Sequence, residues 1–285
     1  YGKAVFKHSL SIVVNNSKDA ITQLQEIDMK DNNREGVIFC FAQRDQHIWS
    51  LTTHLLVDEP LFAELFGQYE SVFKSLTEQS LLAYIHQPQL IENVNHQAIC
   101  LLAIECSLVS MWRSWGIFPE AVVGLGIGEI SAVHIAGVLT IEQVLKMLIK
   151  ATMVNNKLVI EASLGVVSEL LGRESELRIT HVNGQSVVTV AGFDNHLDTF
   201  SDSLTLHGIS WNKVIDSMNP AVMSIAPENI DVGNARCEII STVEPELLSN
   251  SLEQSDYWQN RFVSLSNEPE LMRLVAQREV GLTID

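Results

Sequence analysis

VVGLGIGEISAVHIAGVLT, residues 122–140, reads as an apolar strand that enters a glycine-rich turn and leaves it as a helix. The turn is Gly124-Leu125-Gly126-Ile127-Gly128-Glu129. In a nucleophile elbow of the G-x-S-x-G type, a buried strand runs into a sharp, strained turn, and a serine at its apex is presented at a helix N-terminus. The flanking glycines are needed because a Cβ there would meet the crowded strand and helix. Gly124 and Gly128 meet that need, but the apex is Gly126, which carries no hydroxyl. The turn is either an elbow without its nucleophile or a glycine-rich strand-to-helix turn of another kind.

Outward from this turn the chain alternates strands and helices. Val37–Phe41 is a short, fully apolar run, the pattern of a buried parallel strand. Helical patterns run from about Ser50 to Ser75 and from Asn95 to Trp115, and after the turn from Glu129 to Ala136 and Ile141 to Val154. Between Lys157 and Lys213 the order becomes strand, helix, strand, strand, helix, strand, with a hairpin turn at Asn183-Gly184-Gln185. That order is the split β-α-β signature of a ferredoxin-like unit inserted in a larger domain. The fold class is α/β: a larger, α/β-hydrolase-like subdomain with a mostly parallel sheet, over residues 36–153 and 215–285, and a small ferredoxin-like subdomain over residues 154–214. Residues 1–35 are polar and mixed, with a helix capped by Ser17-Lys18-Asp19, and read as a linker or a small preceding subdomain.

The formal net charge is −17, from 35 acidic and 18 basic residues, which disfavours nucleic acid or an anionic membrane as a partner. Four cysteines, Cys40, Cys100, Cys106 and Cys237, show no C-x-x-C spacing and are expected as buried thiols of a reducing cytoplasm. No signal peptide and no uninterrupted apolar stretch of membrane-spanning length is read. No histidine has metal-ligand spacing with another ligand, so no metal site and no cofactor are expected.

Several separated motifs in order carry a family resemblance. Residues 111–148, MWRSWGIFPEAVVGLGIGEISAVHIAGVLTIEQVLKML, residues 181–192, HVNGQSVVTVAG, and residues 241–262, STVEPELLSNSLEQSDYWQNRF, resemble the acyltransferase domains of modular polyketide synthases and related fatty acid synthases, of the malonyl-CoA:acyl carrier protein transacylase type. The resemblance implies a serine at the elbow and a histidine that deprotonates it, passing an acyl group from coenzyme A to a phosphopantetheine thiol. It also implies a place after a ketosynthase domain, with the connecting linker ending in residues 1–35.

The chain departs from that family at each position that carries the chemistry. The elbow G-H-S-x-G-E falls on Gly124-Leu125-Gly126-Ile127-Gly128-Glu129, the catalytic histidine on Met218, the oxyanion-loop glutamine on Arg44, and the arginine that pairs with a malonyl carboxylate on Ala151. Glycine offers no nucleophile, methionine accepts no proton and alanine binds no carboxylate.

The expected function is a catalytically inactive acyltransferase-like domain, kept for architecture or docking, with acyl loading left to a separate enzyme acting in trans or to another module. One alternative is an active transferase or hydrolase with a relocated nucleophile, in which Leu125, Ile127 and Met218 line a greasy cleft for a long acyl chain. Another is a non-catalytic binder of acyl-pantetheine or carrier protein, for which Arg113, Lys146 and Lys150 are the candidate basic patch. Ser131 and Ser217 are the nearest hydroxyls to serve as a substitute nucleophile, and His47, beside Arg44 and Asp45, forms the most polar cluster. His134, His86, His96 and His181 read as packing or surface residues, Trp112 and Trp115 as packing, and Asp256-Tyr257-Trp258 as packing against a following linker.

Overall fold

The computed structural model describes residues 36–41, 47–172, 176–216, 218–225, 232–241, 257–258 and 282–284. The chain divides into two units, 1–35 and 36–285, and all described residues belong to the second. The readings made for residues 1–35, Arg44, Asp45, Ser217 and Asp256 fall outside the described residues.

β1 (Val37–Phe41), β2 (Ala121–Gly124), β9 (Glu238–Ile240) and β10 (Leu282–Ile284) form one parallel sheet in the order β10-β1-β2-β9. In β1 and β2 apolar side chains face both sides of the sheet, which is why these two strands read as continuous rather than alternating apolar runs. Phe39, Phe41, Val122 and Ile239 enter the main core, while Ile38, Ala121, Val123 and Ile240 form a separate cluster with Leu125.

Helices α1 (His47–Asp58), α2 (Pro60–Thr77), α3 (Leu81–His86) and α4 (Val94–Ser114) separate β1 from β2. The single helical pattern expected from Ser50 to Ser75 is in fact two helices. Pro60 opens α2 and holds the preceding Glu59 extended, at φ −118° and ψ 90°. α4 is long and apolar enough to cross a membrane by length and composition, although Asn95, His96, Gln97 and Glu105 interrupt its apolar run. Most of it is buried against the other elements, so its hydrophobicity is that of a core helix.

α5 (Ile127–Ile135) and α6 (Ile141–Lys150) follow the glycine turn. Thr140 and Gln143 close a reciprocal capping box at the start of α6. The helix expected to reach Val154 stops at Lys150. Ala151 turns to φ −65° and ψ 146°, and Thr152–Val154 becomes β3, paired antiparallel with β8 (Ala221–Ser224).

Between β3 and β8 lies the ferredoxin-like subdomain. It comprises β4 (Asn156–Ile160), α7 (Leu164–Leu171), β5 (Arg178–Asn183), β6 (Val187–Ala191), α8 (Asp194–Leu206) and β7 (Trp211–Ile215), with an antiparallel sheet ordered β5-β6-β4-β7. Leu158, Ile160, Val188 and Val190 point to one face and pack with Val167, Leu197 and Leu204 of the two helices, giving this subdomain its own core.

Candidate functional site

β2 ends at Gly124 and α5 begins at Ile127, so the chain reverses across Leu125 and Gly126 at the C-terminal edge of the parallel sheet. That edge is where ligands of open α/β sheets bind. The Leu125 N–H donates to the Phe41 carbonyl at 2.9 Å, the Gly128 N–H to the Leu125 carbonyl at 2.9 Å and the Glu129 N–H to the Gly126 carbonyl at 3.0 Å. Gly126 sits at φ 54° and ψ −122°, a strained conformation for any residue with a Cβ. A Cβ on Gly124 would lie 2.1 Å from the Gly128 carbonyl group, and one on Gly128 would lie 2.0 Å from the Phe41 oxygen. At Gly126 a Cβ would meet nothing within 4 Å. From Ala121 to Val133, Gly126 is the one residue that is not buried. The turn therefore has elbow geometry, with room at the apex for a side chain that is absent.

The residues beside the apex are buried. Leu125 is 6% exposed and Ile127 3% exposed, and each belongs to a core cluster on one side of the turn. Met218 is 6% exposed, and the Gln97 side-chain amide reaches its thioether sulfur at 3.9 Å. Of the three residues expected to line a greasy cleft, Leu125 and Ile127 are taken up by core packing, and Met218 is buried beside Gln97.

The turn that carries Met218 is held from β4. Lys157, itself buried, donates from Nζ to Asp216 Oδ2 at 2.8 Å and to the Asn219 carbonyl at 2.7 Å. Asp216 Oδ1 accepts the Asn219 backbone N–H at 3.1 Å. Ala151 is likewise fixed through its backbone: Asn95 Nδ2 donates to the carbonyls of Leu148, Ile149 and Ala151 at 2.8, 3.3 and 2.6 Å. The first turn of α4 thus reaches both positions, through Asn95 to Ala151 and through Gln97 to Met218. Sequence reasoning missed these two residues. The signal was the polar run Asn93-Val94-Asn95-His96-Gln97 opening an otherwise apolar helix.

Glu129, in the first turn of α5, is fully buried. It accepts hydrogen bonds from Ser241 Oγ at 2.8 Å and from the Tyr257 hydroxyl. Burial pushes its carboxyl up to about 7, against the downward pull of the two hydroxyls. Tyr257 and Trp258 are buried in the main core, with ring centroids 5.0 Å apart, so the expected packing of this pair against a following linker is corrected to core packing.

The remaining candidates hold structural positions. His134 is bonded through Nε2 to the Tyr69 hydroxyl at 2.9 Å and through Nδ1 to the Leu139 carbonyl at 2.7 Å, and burial lowers its pKa. Ser131 is buried and donates to Glu105 at 2.8 Å. His96 lies inside α4 against Phe73 and Tyr84, His86 ends α3, His181 lies in β5, and the exposed His47 starts α1. Trp112 and Trp115 meet edge to face at 5.4 Å.

Of the candidate basic residues, Lys146 and Lys150 lie one turn apart on α6 and Arg113 lies in the last turn of α4. Arg113 is half-buried and donates to the Ile135 carbonyl at 2.7 Å, at the C-terminal end of α5 where a cation is favoured, and Lys146 pairs with Glu142. Cys100 and Cys106 are buried and Cys40 and Cys237 half-buried, all as thiols. Among the described residues no group of three His, Cys, Asp or Glu side chains could hold a metal ion.

The acyl transferase domain family is matched over residues 49–283. The chain belongs to that family. Erythronolide synthase EryA2 of Saccharopolyspora erythraea is 25% identical to this acyl transferase domain over 289 residues, covering 90% of the chain. The chain spans 8% of that relative's length. In the solved acyltransferase domain from the second module of the salinomycin polyketide synthase, the same fold recurs with a TM-score of 0.70 and 17% identity, over 95% of this chain and 71% of that one. The malonyl CoA-acyl carrier protein transacylase of Coxiella burnetii matches with a TM-score of 0.67 and 13% identity, over 88% of this chain and 86% of its own. The acyl transferase domain described above, parallel sheet and ferredoxin-like insertion together, is the fold of this group.

Proposed function

We propose that this acyl transferase domain does not transfer acyl groups itself and serves a structural or docking role within a polyketide-synthase-type polypeptide. The observation that carries the reading is Gly126. Acyl transfer through a covalent intermediate needs a nucleophilic oxygen at the elbow apex and a base within hydrogen-bond reach. The apex has the strained backbone and open space for such a residue, and it holds a hydrogen atom in place of a side chain.

Met218 and Ala151 support the same reading. Neither can accept a proton or bind a carboxylate, and the groups that reach them, Gln97 and Asn95, are neutral amides. Ser131 has a carboxylate within reach, donating a hydrogen bond to Glu105, but it is fully buried inside α5 and presents no oxygen to a substrate. Arg44, at the position of the oxyanion-loop glutamine, is the fourth departure.

In this role the partners are a neighbouring ketosynthase domain and its linkers, with acyl groups reaching a carrier protein from an acyltransferase acting in trans. The test is release of coenzyme A from malonyl-, acetyl- and long-chain acyl-CoA in the presence of a carrier protein. The reading expects the rate of the buffer blank for every donor. Turnover with any of them that scales with protein concentration would overturn it.

A further inference from the structure

We propose that Glu129 is a proton-linked latch: its protonation state sets how firmly the Tyr257–Trp258 segment is docked on the elbow helix and on the end of β9. The proposal stands on where three segments meet. Glu129 belongs to the first turn of α5, Ser241 directly follows β9, and Tyr257 comes from a part of the chain 128 residues beyond Glu129. Both hydroxyls converge on the same oxygen, Oε1, and lie 3.3 Å from each other. All three side chains are buried, and Tyr257 carries Trp258 with it into the core.

A buried carboxyl in such a place is tolerated in its neutral form and costly in its charged form, because burial removes its hydration. The elements packed against α5 carry titratable groups, but they do not relieve that cost. β2 has none, β1 has Cys40 and β9 has Glu238; α4 has His96, Cys100, Glu105, Cys106 and Arg113; α6 has Glu142, Lys146 and Lys150. His134 on α5 itself is held by Tyr69 and Leu139. The causes acting on Glu129 are burial and the two hydroxyls.

When the carboxyl is neutral, the segment is docked at full strength. When it ionises, the docked state carries a buried charge that the undocked state hydrates. Opening of the segment is therefore favoured by rising pH, between the pKa of an exposed glutamate, about 4.3, and about 7. In that window the opening equilibrium grows by about tenfold per pH unit. Above it the equilibrium is level.

The experiment is amide hydrogen exchange of the whole chain, followed by mass spectrometry for peptides spanning Tyr257 and Trp258 and corrected for the intrinsic pH dependence of exchange. Wild type is expected to lose protection from pH 5 to 7 and to level off above 7. Glu129→Gln, which keeps an acceptor of the same size, is expected to give protection independent of pH. Tyr257→Phe removes a hydrogen bond that favours the ionised form, so its plateau moves to higher pH. A wild-type segment whose protection does not change with pH, or a Glu129→Gln variant that keeps the wild-type slope, would overturn the proposal.

Discussion

Gly128 approaches β1 so closely that a Cβ on it would lie 2.0 Å from the carbonyl oxygen of Phe41. The obstacle is backbone, which cannot rotate away. Gly128→Ala is therefore expected to force β1 and α5 apart and to cost more than about 4 kcal/mol, the range reserved for severe steric change. Gly126→Ala meets no atom within 4 Å and pays only for backbone strain, about 1–3 kcal/mol. Urea denaturation of the two variants checks the order; equal losses would contradict it.

Glu129 makes global stability depend on pH. Its carboxyl is raised from 4.5 to about 7 in the folded chain, so the folded state holds the proton more tightly than the unfolded state. The stability this group contributes is fully present below about 4.5 and is lost as pH rises to about 7, a change on the order of 3 kcal/mol. Glu129→Gln is expected to abolish that part of the slope, and to be more stable than wild type at pH 8. Parallel stability curves for the two proteins from pH 5 to 8 would count against this assignment.

Asn95 is the buried donor to three carbonyls where α6 ends and β3 begins. Asn95→Ala leaves those acceptors without its amide, at a cost of about 1–3 kcal/mol. Asn95→Asp is expected to be worse, since it brings a second set of acceptors to the same oxygens. Thermal unfolding of both variants should rank them in that order.

Asp216 faces the buried ammonium of Lys157 and also organises the turn that carries Met218. Asp216→Asn keeps the turn's acceptor and removes the charge, leaving Lys157 buried with only the Asn219 carbonyl. Asp216 is partly exposed, so solvent moderates the loss to about 1–3 kcal/mol. Lys157→Met, which removes the buried charge itself, is expected to cost less than Asp216→Asn. The reverse order in a denaturation experiment would show that the pair acts chiefly through attraction.

Much of the fold was legible in the sequence because it rests on local pattern. Val37–Phe41 and Ala121–Val123 are apolar without alternation, as strands covered on both faces must be, and the strand order of the insertion follows from punctuation such as Asn183-Gly184. The elbow was legible at Gly124 and Gly128, whose lack of a Cβ has a single geometric cause. Helix ends were read less well. Pro60 divides a continuous helical pattern, and Ala151 leaves α6 because the following residues pair with β8 across an insertion of about sixty residues. The hydrogen-bond partners of Ala151, Met218 and Glu129 were not legible at all. Each joins segments more than 50 residues apart, and side-chain contacts of that separation leave no local period. The same holds for Leu125 and Ile127, whose apolar character fits a cleft wall and a core equally well until the packing is known.

The central claim is that the elbow at Gly126 forms no acyl-enzyme. Intact-protein mass spectrometry after incubation with malonyl-, acetyl- and a long-chain acyl-CoA tests it most directly. The account predicts the unmodified mass with every donor. A stoichiometric acyl adduct on the wild-type chain would contradict it, and peptide mapping would then identify the residue that has taken over the nucleophile's role.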